Sequence, residues 1–163
     1  MTSFSIIENS ERPFFQLFGK DGDSIQRDII FNSQVNSGQR LPEGKWEYRH
    51  YANGAIALVC ADRFFKIPVE TNAGESLMVS PEAISLSANL RVLQEKAEIK
   101  DGSVCEMGLL VMHQALQDAI IRDIPSILVT SITPAIQARK PSNPQEVRVS
   151  PHAEAHSIVL LSS

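Results

Sequence analysis

The sequence predicts an α+β fold: an antiparallel β-meander packed against an α-helical hairpin, with extra C-terminal strands, in a single domain over residues 1–163. Two signals carry this reading. Asn53-Gly54 separates the β-rich runs 45–51 and 55–60, and Asn-Gly suits a type I′ hairpin turn because that turn needs positive φ at both central residues. Ser80-Pro81, and later Ser103 with Glu106, then open two segments of helical apolar spacing, the first as an N-cap with a first-turn proline and the second as a capping box.

Along the chain, Phe14, Phe15 and Phe18, closed by Gly19, suit either a short helix or a packed extended arm. Asp23 and Ser24 are candidate N-caps for a helix through about Asn32, supported by Ile25 and Ile29 four apart. Residues 33–44, rich in Asn, Ser, Gly and Pro, read as a loop. In the first meander strand Trp46, Tyr48 and His50 share one face and Glu47, Arg49 and Tyr51 the other, by the period-two rule. Residues 55–60 are wholly apolar, as suits a strand covered on both faces. A third strand over 64–69 contains Pro68, which lacks a ladder donor and so favours an edge or a strand end.

The first hairpin helix carries a main stripe of Ala83, Leu86, Leu90, Leu93 and Ala97, with Ser87, Arg91, Gln94 and Glu98 on a polar face. A narrower stripe of Ile84, Ala88, Val92 and Ile99 predicts contacts on a second side. Asp101-Gly102 turns the chain. The helix that follows, to about Arg122, is apolar over most of its girth, through Cys105, Leu109, Met112, Leu116 and Ala119 on one stripe and Val104, Gly108, Val111 and Ala115 on another, which predicts burial on more than one side. Pro125 ends it, residues 127–132 read as a strand, 133–145 as a long loop, and 146–149 and 157–161 as short closing strands.

Composition narrows the function. A hydrophobic content of 43% with 21% charged residues is that of a globular domain, and a chain of this size needs no disulfide or structural metal to be stable. Cys60 and Cys105 lie in or beside apolar runs and read as reduced core thiols. The N-terminal residues show no signal-peptide pattern, and no run approaches a membrane span, so the expected location is the cytoplasm. A net charge of −4 opposes direct nucleic-acid binding, which rests on clustered Lys and Arg facing phosphates. The acidic groups are also too scattered among basic ones to imitate a DNA backbone.

No residue set satisfies the chemistry of a catalytic or cofactor site. His152, Glu154 and His156 form the sharpest metal-like pattern. On a helix the two imidazoles would share a face, but the acid is misplaced for HExxH and a third ligand is not evident, so a polar turn before a last strand competes with a metal site. There is no nucleophile elbow and no phosphate-binding glycine loop. His113 has no carboxylate one helical turn away and reads as a partly buried helix residue. Trp46, Tyr48 and Tyr51 could stack on bases; with only Lys45, Arg49 and Arg63 as basic company they are read as packing groups.

The pattern W-x-Y-x4-N-G at Trp46, Tyr48, Asn53 and Gly54, followed by Gly74 and by Ser80-Pro81-Glu82-Ala83 opening a helix, resembles the antirestriction family of ArdB and KlcA. Upstream, Leu17-Phe18-Gly19 is similar to the end of that family's early F-L-P-x-L-F-G segment, so the resemblance spans about residues 15–100. It implies a cytoplasmic, non-enzymatic protein that relieves type I restriction in the host, and offers no catalytic residues. Together with the lack of catalytic motifs, it gives a first reading: a mobile-element antagonist of host defence acting through contacts with a protein partner, with no cofactor or metal. A second reading, an interaction or adaptor module, rests on the 133–145 loop as a contact surface. A third, a small metal-dependent enzyme, rests on His152, Glu154 and His156.

Overall fold

The computed structural model describes residues 4–42, 45–62, 64–98, 104–121 and 152–162, with only the backbone of 104–106. Strand β1 (Phe4–Ile7) and a single 3-10 turn lead into helices α1 (Pro13–Phe18) and α2 (Lys20–Asn36). Strands β2 (Trp46–Tyr51), β3 (Ile56–Cys60), β4 (Ile67–Glu70) and β5 (Ser76–Val79) follow, then helices α3 (Pro81–Ala97), α4 (Val104–Ile121) and α5 (Ala155–Ser162). The strands form two antiparallel sheets, β1-β2-β3 and β4-β5. The α+β class is therefore as predicted, with a different partition of its strands.

The β2–β3 hairpin turns at Asn53-Gly54, but not as a type I′ turn. Gly54 has φ of 91°, while Asn53 stays out of the positive region. Tyr51 N–H donates to Ala55 at 2.8 Å and Gly54 N–H to Tyr51 at 2.9 Å, which makes a three-residue loop ending in a glycine bulge. Asn53 is used differently: its amide donates to the Ala115 carbonyl of α4 at 2.7 Å and its oxygen accepts from Ala55 at 3.2 Å. The β4–β5 loop repeats the geometry, with Gly74 at φ 84° and Thr71 N–H donating to Glu75 at 2.8 Å.

The expected third strand does not extend the meander. It begins at Ile67 and pairs with β5, Ile67 opposite Val79 and Pro68 opposite Met78. The physical reason lies at the outer edge of β3, which helix side chains already occupy. Asn89 accepts from Leu58 N–H at 3.0 Å and donates to the Leu58 carbonyl at 2.7 Å. Ser85 Oγ accepts from Cys60 N–H at 2.9 Å, and Met112 Sδ from Ile56 N–H at 3.1 Å. Side chains thus satisfy the ladder groups that an added strand would need.

Helix α3 is the axis of the molecule, packed against α2, α4, α5 and β3. Ser80 caps it, its Oγ accepting from Ala83 N–H at 3.2 Å. Of its expected polar face Ser87 is interior, its Oγ donating to the Ile84 carbonyl at 2.7 Å; Ser85 and Asn89, outside that face, are buried as well and serve the β3 edge. Helix α2 starts at Lys20, before the predicted cap, and runs to Asn36 into the expected loop. On α4 the Leu109, Leu116 and Ala119 stripe is buried; of the second stripe Val111 is 67% exposed, whereas Ala115 is partly buried against the core.

At the C-terminal end, residues 155–162 form helix α5 instead of the expected strand over 157–161. Ile158 and Leu161, three apart, are its buried residues, a helical period in a short apolar run that a strand reading cannot distinguish by composition. The strands expected over 127–132 and 146–149, and the loop 133–145, lie outside the described residues.

Candidate functional site

The most chemically loaded place in the molecule is where β2, the first turn of α3 and the segment leading into α5 meet. Arg49, Glu82 and His152 are all buried there. Arg49 Nη2 contacts Glu82 Oε2 at 3.3 Å and Glu47 Oε1 at 2.9 Å, and His152 Nε2 lies 2.6 Å from Glu82 Oε1. The Glu154 backbone N–H donates to His152 Nδ1 at 2.9 Å. With Nδ1 an acceptor, the ring proton sits on Nε2 and is donated to Glu82. Glu82 therefore receives a guanidinium from the sheet on one oxygen and an imidazole N–H from the C-terminal segment on the other.

Beside this cluster, Phe4 of β1 covers Arg49, with the guanidinium carbon 4.2 Å from the ring centroid, and Tyr51 meets Phe4 edge-on at 5.6 Å. Burial pushes the Tyr51 hydroxyl up to about 12, against the opposing charge of Arg49. Burial works against the Arg49 charge as well, yet Tyr51, Glu82 and Glu47 together hold its pKa above the ordinary value. Among the described residues neither the Tyr51 hydroxyl nor Arg49 Nη1 has a hydrogen-bond partner of ordinary geometry. What the cluster does is mechanical: it pins the C-terminal segment to the sheet and to the start of α3. Its three central side chains, at 2–5% exposure, offer no surface to a substrate.

The metal-like pattern is split by this arrangement. His152 precedes the helix and is buried, whereas His156 lies on α5 and is exposed, so the two imidazoles do not share a helical face. Glu154 turns instead to Ser80, accepting from its N–H at 3.0 Å and its Oγ at 2.6 Å. It places a carboxylate at the N-terminus of α3, where the helix dipole favours one. No group of three metal-ligating side chains gathers among the described residues.

The aromatics of β2 are packing groups. Tyr48 is buried against Phe14, ring centroids 5.7 Å apart, and Trp46 is half-buried at the core margin. His113 is half-buried on α4, and burial lowers its pKa. Cys60 is a free, buried thiol whose pKa burial pushes up to about 11, with Asp62 adding to the shift and Lys45 opposing it. The side chain of Cys105 lies outside the described residues.

Sequence spacing gave no hint of the Arg49, Glu82 and His152 convergence, because these residues are separated by 33 and 70 positions. Glu82 has a sufficient local explanation as an acid in the first turn of α3. A usable signal was Arg49 itself, a charge in a strand whose neighbours are aromatic.

No helix among the described residues is long and apolar enough to cross a membrane. Several large apolar side chains face outward, among them Ile6 at 64%, Phe64 at 94%, Met107 at 69% and Val111 at 67% exposure. Such side chains are the raw material of contact surfaces when they cluster.

The molecule is thus an α+β protein in which two small sheets are closed by helices and a buried ionic clamp. No family model matches the chain, and no curated protein matches it. It is similar to a solved structure of the KlcA and ArdB proteins, reported to show a novel fold and antirestriction activity against Type I DNA restriction systems in vivo but not in vitro. The TM-score is 0.63 at 16% identity, over 99% of this chain and 95% of that one. At that identity the likeness is one of fold, and it extends well beyond the 15–100 region that carries the sequence resemblance.

Proposed function

We propose that the protein is a non-enzymatic antagonist of a type I DNA restriction system, carried by a mobile element and acting in the cytoplasm as one domain. The observation that carries this reading is the fold shared with the KlcA and ArdB structure over 99% of the chain. The W-x-Y-x4-N-G pattern and the Ser80-Pro81-Glu82-Ala83 helix start support it independently. The net charge of −4 favours action through contacts with a protein over competition for DNA phosphates.

Because the similar proteins act in vivo but not in vitro, the deciding test is cellular. Phage carrying unmodified DNA is plated on a host with an active type I system, with and without the expressed protein. The expected result is a higher plating efficiency in the expressing cells and no change in a host lacking the restriction system. Equal plating on the restricting host, with the protein shown to be present and folded, overturns the proposal.

A further inference from the structure

We propose that β1 is a pairing edge for a second copy of this chain, joining two three-stranded sheets into one of six strands across a two-fold axis at Ser5. In the β1-β2-β3 sheet β1 and β3 are the edges, and the two edges are treated differently. That of β3 is closed by Asn89, Ser85 and Met112. No strand or side chain among the described residues pairs with the outer edge of β1.

The direction of each β1 backbone group follows from the ladder. Ile56, Leu58 and Cys60 direct their N–H groups to helix side chains, so Ala57 and Val59 face inward and bond their partners Arg49 and Glu47. Hydrogen-bonding sides alternate along an antiparallel strand. His50 and Tyr48 therefore bond the other neighbour, meeting Ser5 and Ile7. That leaves Phe4 and Ile6 with N–H and C=O directed outward, away from the sheet.

Outward groups at two positions with one residue between them are self-complementary. Placed antiparallel about Ser5, the strand sets Phe4 opposite Ile6 of the second copy, and Ile6 opposite its Phe4. Each opposed pair exchanges two N–H to C=O bonds, so all four outward groups of each chain are satisfied. A register one pair off, with Ile6 opposite Ile6, sets Phe4 against Glu8, whose carbonyl already accepts from Glu11 N–H at 3.0 Å. The side chains agree with the backbone. Phe4 and Ile6 lie on the same face, are 40% and 64% exposed, and would cover each other across the axis as a cross-strand apolar pair.

The strand Phe-Ser-Ile-Ile carries no charge and no proline, the devices with which open edges are usually kept from pairing. An isologous interface needs the same patch on both copies to fit itself, and this edge does. The inference does not rest on the proposed antirestriction role.

The test is sedimentation equilibrium of the full chain from micromolar to millimolar concentration, with amide hydrogen exchange on the same samples. The expected mass rises from that of one chain to twice that value, and the Phe4 and Ile6 amides become protected over the same range. Ile6→Pro removes one outward donor while leaving the inward bonds of Ser5 and Ile7 in place; it is expected to stay monomeric with an unchanged far-UV circular dichroism spectrum. Ile6→Lys places a charge at the axis and gives the same result without altering the backbone. A wild-type chain that remains monomeric at millimolar concentration overturns the proposal, as does a dimer that persists in the folded Ile6→Lys variant.

Discussion

Replacing Arg49 with methionine tests the ionic clamp most directly, because methionine keeps the apolar stem while removing the charge. The loss falls mainly on Glu82, which is 2% exposed and loses its contact at 3.3 Å. Glu47 loses a contact at 2.9 Å but is 19% exposed and can turn to water. Removing one partner of a buried ion pair costs about 3–5 kcal/mol, and the lost stacking on Phe4 adds about 0.5–1 kcal/mol. At about 2–4 °C per kcal/mol for a chain of this size, the expected fall in Tm is roughly 7–24 °C. Thermal unfolding followed by far-UV circular dichroism measures the fall in Tm, and urea unfolding the free energy, with the slope m expected to hold constant. Adding Glu82→Gln to Arg49→Met removes the stranded charge and is expected to cost less than the sum of the single changes by about 1–3 kcal/mol. An Arg49→Met loss below about 1 kcal/mol, or strict additivity in the pair, would refute the argument that burial makes this contact expensive to break.

Three further perturbations have defined outcomes. Asn89→Leu strips both Leu58 backbone groups of their partners, and at about 1–3 kcal/mol for each unsatisfied buried group the expected loss is roughly 2–6 kcal/mol, read from the urea midpoint. Gly22→Ala would set a Cβ 2.1 Å from the Phe14 carbonyl oxygen, so α1 must move off α2, at a cost of about 1–3 kcal/mol or more. Cys60 and Tyr51 have folded-state values raised from 9.0 to about 11 and from 10.0 to about 12. The unfolded chain gives up these protons first, so stability is full below pH 9 and falls as pH rises, through 9–11 for Cys60 and 10–12 for Tyr51. Each contributes on the order of 2–3 kcal/mol, and Cys60→Ala should flatten the first part of the stability-versus-pH profile.

The helical half of the fold was legible because its signals are local. Ser80-Pro81 caps α3 by its own hydroxyl, and the Leu86, Leu90 and Leu93 stripe is buried as its spacing requires. The hairpin position was legible too, although its turn type was not, since Asn53 is recruited by the Ala115 carbonyl 62 positions away. Strand β1 escaped notice because four residues show no usable alternation and its partner β2 lies some forty positions on. Helix α5 escaped because a short apolar run fits either period until the interior it packs against is known. The clamp was illegible for the same physical reason: Arg49, Glu82 and His152 are each ordinary in local context and acquire meaning only when three distant segments are folded together.

Helix α3 receives a carboxylate from Glu154 at its first turn and a peptide acceptor from Leu161, bonded at 2.7 Å by Arg91. Both donors of order come from residues synthesised about seventy positions after the helix they complete. A nascent chain that has reached the end of α4 therefore holds α3 without its late partners, with Glu82 still lacking the imidazole. Completion of the core is thereby deferred until the 152–162 segment has left the ribosome. Loss of 152–162 takes the imidazole from Glu82 and the carboxylate from Ser80, and uncovers the residues against which Ile158 and Leu161 are buried.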